Sequence, residues 1–161
     1  MVGYAYGQCD SHTRTGGLVS EATPQTFPEV AFTVEPGIEP YWDGAFEDRL
    51  VLSRCTEDGA AIWPPRPFCP RHMTSEVRWE QASGGGVVYS YTLVHRGEGA
   101  FAKASPYVLA YVELDEGPRV LTNVLATNGS PVVEVGIGQR VTAVFDTVGD
   151  GAPVLRFMVE P

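Results

Sequence analysis

Lysine is nearly missing from this sequence. Of the 11 basic residues only Lys103 is lysine, and the rest are arginine. Positive charge is short as well: 20 acids against 11 bases give a formal charge of −9, and the pI is about 4.7. Proteins that coat nucleic acid or an anionic membrane need a basic face, so both classes are excluded. The arginines that remain suit paired contacts with phosphate or carboxylate. Cysteine is scarce, at Cys9, Cys55 and Cys69. Three cysteines make no disulfide framework and point to a reducing compartment, so the expected location is cytoplasmic. No apolar run approaches the length of a membrane span. The opening "MVGYAYGQCDSHTRTGG" lacks the basic-then-apolar order of a secretory signal.

Turn formers are abundant instead. With 18 Gly and 13 Pro beside 43% hydrophobic residues, the chain has many reversals around a real core, and a mainly β fold is expected. Residues 1–36 are rich in Gly, Ser, Thr and Pro without a period and read as a flexible N-terminal arm. The arm carries an isolated C-x2-H pair, Cys9 and His12. Aromatic and aliphatic residues then recur at near-helical spacing (Tyr41, Trp42, Phe46, Leu50), which predicts a helix over 39–48. From Val77 onward the pattern is β, with strands expected at 77–81, 86–95, 107–115, 118–126, 139–147 and 154–160. Gly-rich turns separate them. Five or six strands without a further helix suit a small closed barrel such as an OB-fold, with a small sandwich as the competing arrangement.

Between helix and barrel lies "RCTEDGAAIWPPRPFCPRHM", residues 54–73. Its spacing is C-x2-D-x10-C-x2-H, over Cys55, Asp58, Cys69 and His72. Two residues between paired ligands let one turn aim both side chains inward, and thiolate, imidazole and carboxylate all bind zinc. Gly59 supplies a tight turn, while Trp63-Pro64-Pro65 imposes a stiff extended return. Two alternatives stay open: a zinc site with mixed ligands, or a relic held by packing of Trp63, Pro65, Phe68 and Pro70.

The stretch 41–159 resembles the DUF35 family. "YWDGAFEDRLVLSRC" is similar to its leading helix and first knuckle, and "WPPRPFCPRH" to its Pro-rich return and second knuckle. "GGGVVYSYTLVHR", "PYVLAYVELDEGPRVLTNV" and "GQRVTAVFDTVGDGAPVLRFMVEP" are similar to its barrel strands. The resemblance implies a helix and rubredoxin-like zinc ribbon over 37–76, then an OB-fold over 77–161. It departs at Asp58 and His72, where the family pattern has cysteine. It also implies a non-catalytic accessory subunit in a hetero-oligomer with a thiolase-fold enzyme, an acyltransferase or aldolase acting on acyl-CoA. A MaoC-like hydratase in steroid side-chain breakdown is the alternative partner.

Catalytic signatures are thin. No Gly-x-Ser-x-Gly elbow, H-E-x-x-H or phosphate-cradling loop occurs, and the barrel region holds no cysteine and only one histidine, His95. Two strands look too apolar for one small barrel, which buries one face of each strand. The remaining face of 107–114 carries Tyr107, Leu109 and Tyr111; one face of 86–95 carries Val87, Tyr89, Tyr91, Leu93 and His95. Such a surface marks a partner interface, unless the helix at 39–48 covers it. The connection "HRGEGAFAKASPY" is mobile by composition. Arg96, Phe101 and Lys103 in it, with Arg66 and Arg71 on the ribbon, are candidate contacts for the adenine and phosphates of acyl-CoA. An OB-fold also raises single-stranded nucleic acid, but Glu98, Glu113, Asp115 and Glu116 oppose the positive groove that this requires.

Overall fold

The computed structural model describes residues 27–73, 76–131 and 134–161. Its first regular element begins at Glu39-Pro40. Proline is tolerated there because the first N–H groups of a helix lack partners anyway. Glu39 accepts the Gly37 N–H at 2.8 Å; its own backbone amide and then that of Gly37 hold its carboxyl below the usual range. Helix α1 runs Glu39–Phe46 and stops before Asp48, whose φ is +56°. It packs on strand β1, Val51–Cys55. A methyl group on Gly44 would lie 2.5 Å from Val51 Cγ2, so glycine sets how near the helix can come.

Strand β1 is the centre of a three-stranded antiparallel sheet, flanked by β2 (Ala61–Ile62) and β3 (Val77–Gln81). The segment 77–81, expected in the barrel, pairs with β1 along its length, from Val51↔Gln81 to Cys55↔Val77. The ribbon's sheet therefore reaches past residue 76: β1 has two edges, and the short β2 covers only one of them. Three residues then lead to the barrel, each fixed. Ala82 N–H donates to Leu50 O at 2.8 Å, Ser83 N–H to Glu116 Oε1 at 2.7 Å, and Gly84 O accepts from Ala143 N–H at 2.7 Å.

Strands β4 (Gly85–Val94), β5 (Tyr107–Leu114), β6 (Arg119–Leu125), β7 (Arg140–Asp146) and β8 (Val154–Val159) form a closed barrel in the order β4-β5-β6-β8-β7. The β6–β8 pair is parallel, and β7 closes on β4 through Gly86↔Val141. This is the expected OB-type barrel rather than a sandwich. Strand β5 alternates as read: Val108, Ala110, Val112 and Leu114 are buried, while Tyr107, Leu109, Tyr111 and Glu113 face out. Val88, Val120, Val124, Val141 and Phe157 complete the interior, which is continuous with Tyr41, Leu50 and Leu52 of the helix and ribbon. Burial pushes the Tyr41 hydroxyl up to about 12.

Strand β4 departs from its expected pattern. Val88 pairs with Val112, but the next pair is Ser90↔Tyr111, leaving Tyr89 as a bulge. One extra residue reverses the parity of everything after it. Val87 shares the outer side with Glu113, whereas Tyr91 and Leu93 stand opposite Ala110 and Val108. The single face of Val87, Tyr89, Tyr91, Leu93 and His95 is therefore split in two.

The described end of the N-terminal arm is also different from its expectation. Residues 27–36 have no regular structure, yet Phe27 is buried, edge-on to Tyr107 and Phe101 at 5.6 and 6.4 Å. Phe32 lies on Trp42 at 4.8 Å. Phe27 thus packs the segment onto the barrel, and Phe32 packs it onto α1. Cys9 and His12 lie outside the described residues. Beneath Phe27, 3.8 Å from its ring, sits the Arg156 guanidinium, only 3% exposed. It pairs with Asp146 Oδ2 at 2.7 Å and donates to Asn123 Oδ1 at 2.6 Å. Removing one member of a buried polar network strands the others. Arg156→Met should lower the unfolding free energy by about 2 kcal/mol, allowing for the partly exposed Asp146. Arg119→Met, at an exposed pair with Glu113, should cost under about 1 kcal/mol. Urea denaturation of both variants checks the contrast. No helix among the described residues is long and apolar enough to cross a membrane.

Candidate functional site

Two matched turns build the ribbon's tip. Gly59 N–H bonds to Cys55 O at 3.0 Å and Met73 N–H to Cys69 O at 2.8 Å. Both Gly59 and Met73 have positive φ, +71° and +62°. Each turn aims two backbone amides at a sulfur: those of Asp58 and Glu57 at Cys55, those of His72 and Arg71 at Cys69. The cysteines are buried and reduced. His72 Nδ1 lies 3.2 Å from Cys55 Sγ and 3.4 Å from Cys69 Sγ, and the three ligand atoms are within 4.8 Å of one another.

Burial pushes the Cys55 thiol up. Burial acts on Cys69 in the same direction, but the amides of His72 and Arg71, with the Cys55 and His72 side chains, outweigh it and bring that thiol down to about 7. The Cys69 side chain, with the charge of Glu57, holds the His72 imidazole above its ordinary value. Two thiols, an imidazole and four amides aimed at sulfur fit a soft tetrahedral metal such as zinc, for which thiolate and imidazole are the preferred donors. These residues can hold a zinc ion.

Asp58 has other engagements. Its Oδ1 accepts the Ala60 N–H at 3.0 Å and its Oδ2 pairs with Arg71 Nη2 at 2.5 Å. The Ala60 amide, the Cys55 thiol and Arg71 hold its carboxyl low. The structure thus brings Cys55, Cys69 and His72 together, with Asp58 beside them.

The second feature is the outer wall of the barrel. Ser90, Tyr111 and Leu121 are in register across β4, β5 and β6. With Tyr91, Thr92 and Leu109 they line a shallow groove of 250 Å³, where Tyr91, Tyr111 and Leu121 are 43, 45 and 53% exposed. Tyr89 stands apart beneath Arg119, whose guanidinium lies 3.4 Å from its ring. Tyr107 is turned to Phe27 and Phe101. Leu121 was missed in the sequence; its opposition to Tyr111 depends on a β5–β6 register that alternation in one strand does not reveal.

The residues expected at acyl-CoA fall in different places. Arg66 borders a groove of 750 Å³ between the arm, α1 and the Pro-rich return, walled by Tyr41, Trp42, Trp63, Pro64 and Phe68. In its neighbourhood the Trp42 Nε1 is buried without a hydrogen-bond partner among the described residues. Arg71 borders a second groove, of 440 Å³, with Trp63, Glu116 and Arg119. Arg96, Phe101 and Lys103 line none of these three grooves. Their connection is a folded turn rather than an open loop. Gly99–Ala104 form one 3-10 element, Gly97 N–H donates to Ser105 Oγ, and Phe101 is spent on Phe27 and Tyr107.

Comparison with known proteins matches both parts. The rubredoxin-like zinc ribbon domain of ChsH2 matches residues 42–71 and the ChsH2 C-terminal OB-fold domain residues 79–146. A DUF35 domain-containing scaffold protein of Methanocaldococcus jannaschii is 36% identical over 97 residues, 60% of this chain and 67% of that protein. Another, from Methanothermobacter thermautotrophicus, is 31% identical over 62% of this chain and 73% of its own length. The chain belongs to the DUF35 family. Among solved structures, the Ltp2-ChsH2(DUF35) aldolase superposes on this DUF35 chain with a TM-score of 0.64 and 27% identity, over 80% of this chain and 98% of the other. A 3-oxo-4,17-pregnadiene-20-carboxyl-CoA hydratase alpha subunit of Mycobacterium tuberculosis is 31% identical over 65% of the DUF35 chain, which spans 32% of that larger protein. A probable enoyl-CoA hydratase alpha subunit of Thermomonospora curvata is 35% identical, with 30% of its length covered.

Proposed function

We propose that this DUF35 chain is a non-catalytic subunit that assembles with a thiolase-fold enzyme acting on acyl-CoA. The observation that carries this reading is the Tyr111–Leu121 wall, apolar and exposed on the outside of a barrel with its own buried core. An exposed apolar patch with an aromatic at its centre has the composition of an interface core. The scaffold relatives and the DUF35 aldolase assembly support the same reading. The ribbon's zinc would fix the shape of its tip. The aromatic groove beside Arg66 would receive the nucleotide end of acyl-CoA, with rings for the adenine and arginine for phosphate. No bond-making role is given to any residue of this chain.

The hydratase relatives favour a second reading, in which the same wall meets a MaoC-like hydratase. Co-expression with a thiolase-like or a MaoC-like partner, followed by size-exclusion chromatography, tests both. The expected result is one co-eluting complex with the thiolase-like enzyme. A complex with the hydratase alone would support the second reading, and separate peaks with full partner activity would sink both.

A further inference from the structure

We propose that the metal bound by Cys55, Cys69 and His72 keeps a fourth position open, filled by water in the free chain and exchangeable for a neutral nitrogen donor. This rests on the zinc reading above. The ribbon spacing offers four ligand positions, but only three donors converge here among the described residues. The fourth, Asp58, has both carboxylate oxygens engaged: Oδ1 closes the turn at Ala60, and Oδ2 holds Arg71. These contacts hold the carboxylate outside the group of atoms that lie within 4.8 Å of one another. Two thiolates and an imidazole make a three-ligand set, and zinc completes such a set with an exchangeable ligand.

Access and charge define what enters. Cys55 and Cys69 are 0 and 1% exposed, whereas the His72 side chain is 33% exposed, so the site meets solvent on the histidine side. Glu57 lies there, its Oε2 3.8 Å from His72 Nε2, and Asp58 touches Cys55. Two acids beside a centre already neutralised by two thiolates disfavour an incoming anion. A neutral donor avoids that repulsion, and the histidine side chain of a docked protein has this chemistry. No reaction is assigned to the position.

Cobalt provides the test, because its absorption reports both thiolate ligation and the identity of the remaining ligand. The full chain is loaded with Co²⁺ without oxygen and titrated with imidazole. The expected result is a saturable shift of the ligand-field bands, with cobalt content and thiolate-to-metal absorption unchanged. Asp58→Asn should behave in the same way. A wild-type spectrum that imidazole does not move overturns the proposal while leaving the metal site standing. If the response then appears only in Asp58→Asn, the carboxylate is the fourth ligand; if only in Cys9→Ser or His12→Ala, the arm supplies it. Failure to bind cobalt or zinc at all overturns this inference and the zinc reading together.

Discussion

Tyr111→Glu is expected to leave the chain folded and to weaken its hold on the partner enzyme by about 100-fold, or about 2.7 kcal/mol. Tyr111 is central to the exposed wall, in register between Ser90 and Leu121. Aromatic anchors at such positions contribute about 2 kcal/mol or more when truncated. A carboxylate buried there without a partner adds its desolvation cost. In the free chain the same side chain meets water, so the stability change should stay within about 0.5 kcal/mol. Leu121→Glu should act in the same direction. Ile137→Glu, at a more exposed apolar residue that does not line the groove, should bind as the wild type does. Titration calorimetry with the purified partner, beside thermal melts of each variant, separates lost binding from lost folding. Binding by Tyr111→Glu at wild-type strength would remove the wall from the interface.

Cys69→Ser is expected to take zinc from about one ion per chain to about a tenth or less. Outer groups that merely orient a ligand already cost 10–100-fold in metal affinity when changed, and Cys69 is one of three donors that converge among the described residues. The effect should spread through the ribbon. Metal binding is coupled to folding in small sites of this kind, and few apolar residues, Ile62 and Val77 among them, pack around the two cysteines. Hydrogen exchange should therefore quicken at the tip, from Cys55 to Met73, while β5 and β6 keep their protection. Elemental analysis and exchange mass spectrometry check the two halves of this expectation. Full protection without metal would mean that packing alone holds the tip.

Strand β5 shows what was legible in the sequence. Its eight residues alternate strictly, and each side chain lies on the side that alternation predicts. Helix α1 was legible because Tyr41, Trp42 and Phe46 recur at near-helical spacing, though it ends at Phe46 rather than at 48. The ribbon's two turns were legible from the C-x2-D and C-x2-H spacing, and each contains a residue of positive φ, Gly59 and Met73. What failed to show was long-range pairing. The Tyr89 bulge adds a residue without any Gly or Pro to announce it. Strand β3 reads the same whether it joins ribbon or barrel, and only the free edge of β1 decides. The fate of Asp58 was hidden for a similar reason, as Arg71 lies thirteen positions away and competes for its carboxylate. The three grooves are assembled from distant segments, so no local pattern encodes them.

The passage from ribbon to barrel at Ala82–Gly84 bears on how an enzyme would dock. Its backbone is clamped at each residue, and the interior runs on from Leu52 to Val88. If a partner grips the tip and the Tyr111 wall together, that shared packing sets the bearing of one against the other, and the spacing between them would select partners of matching contour.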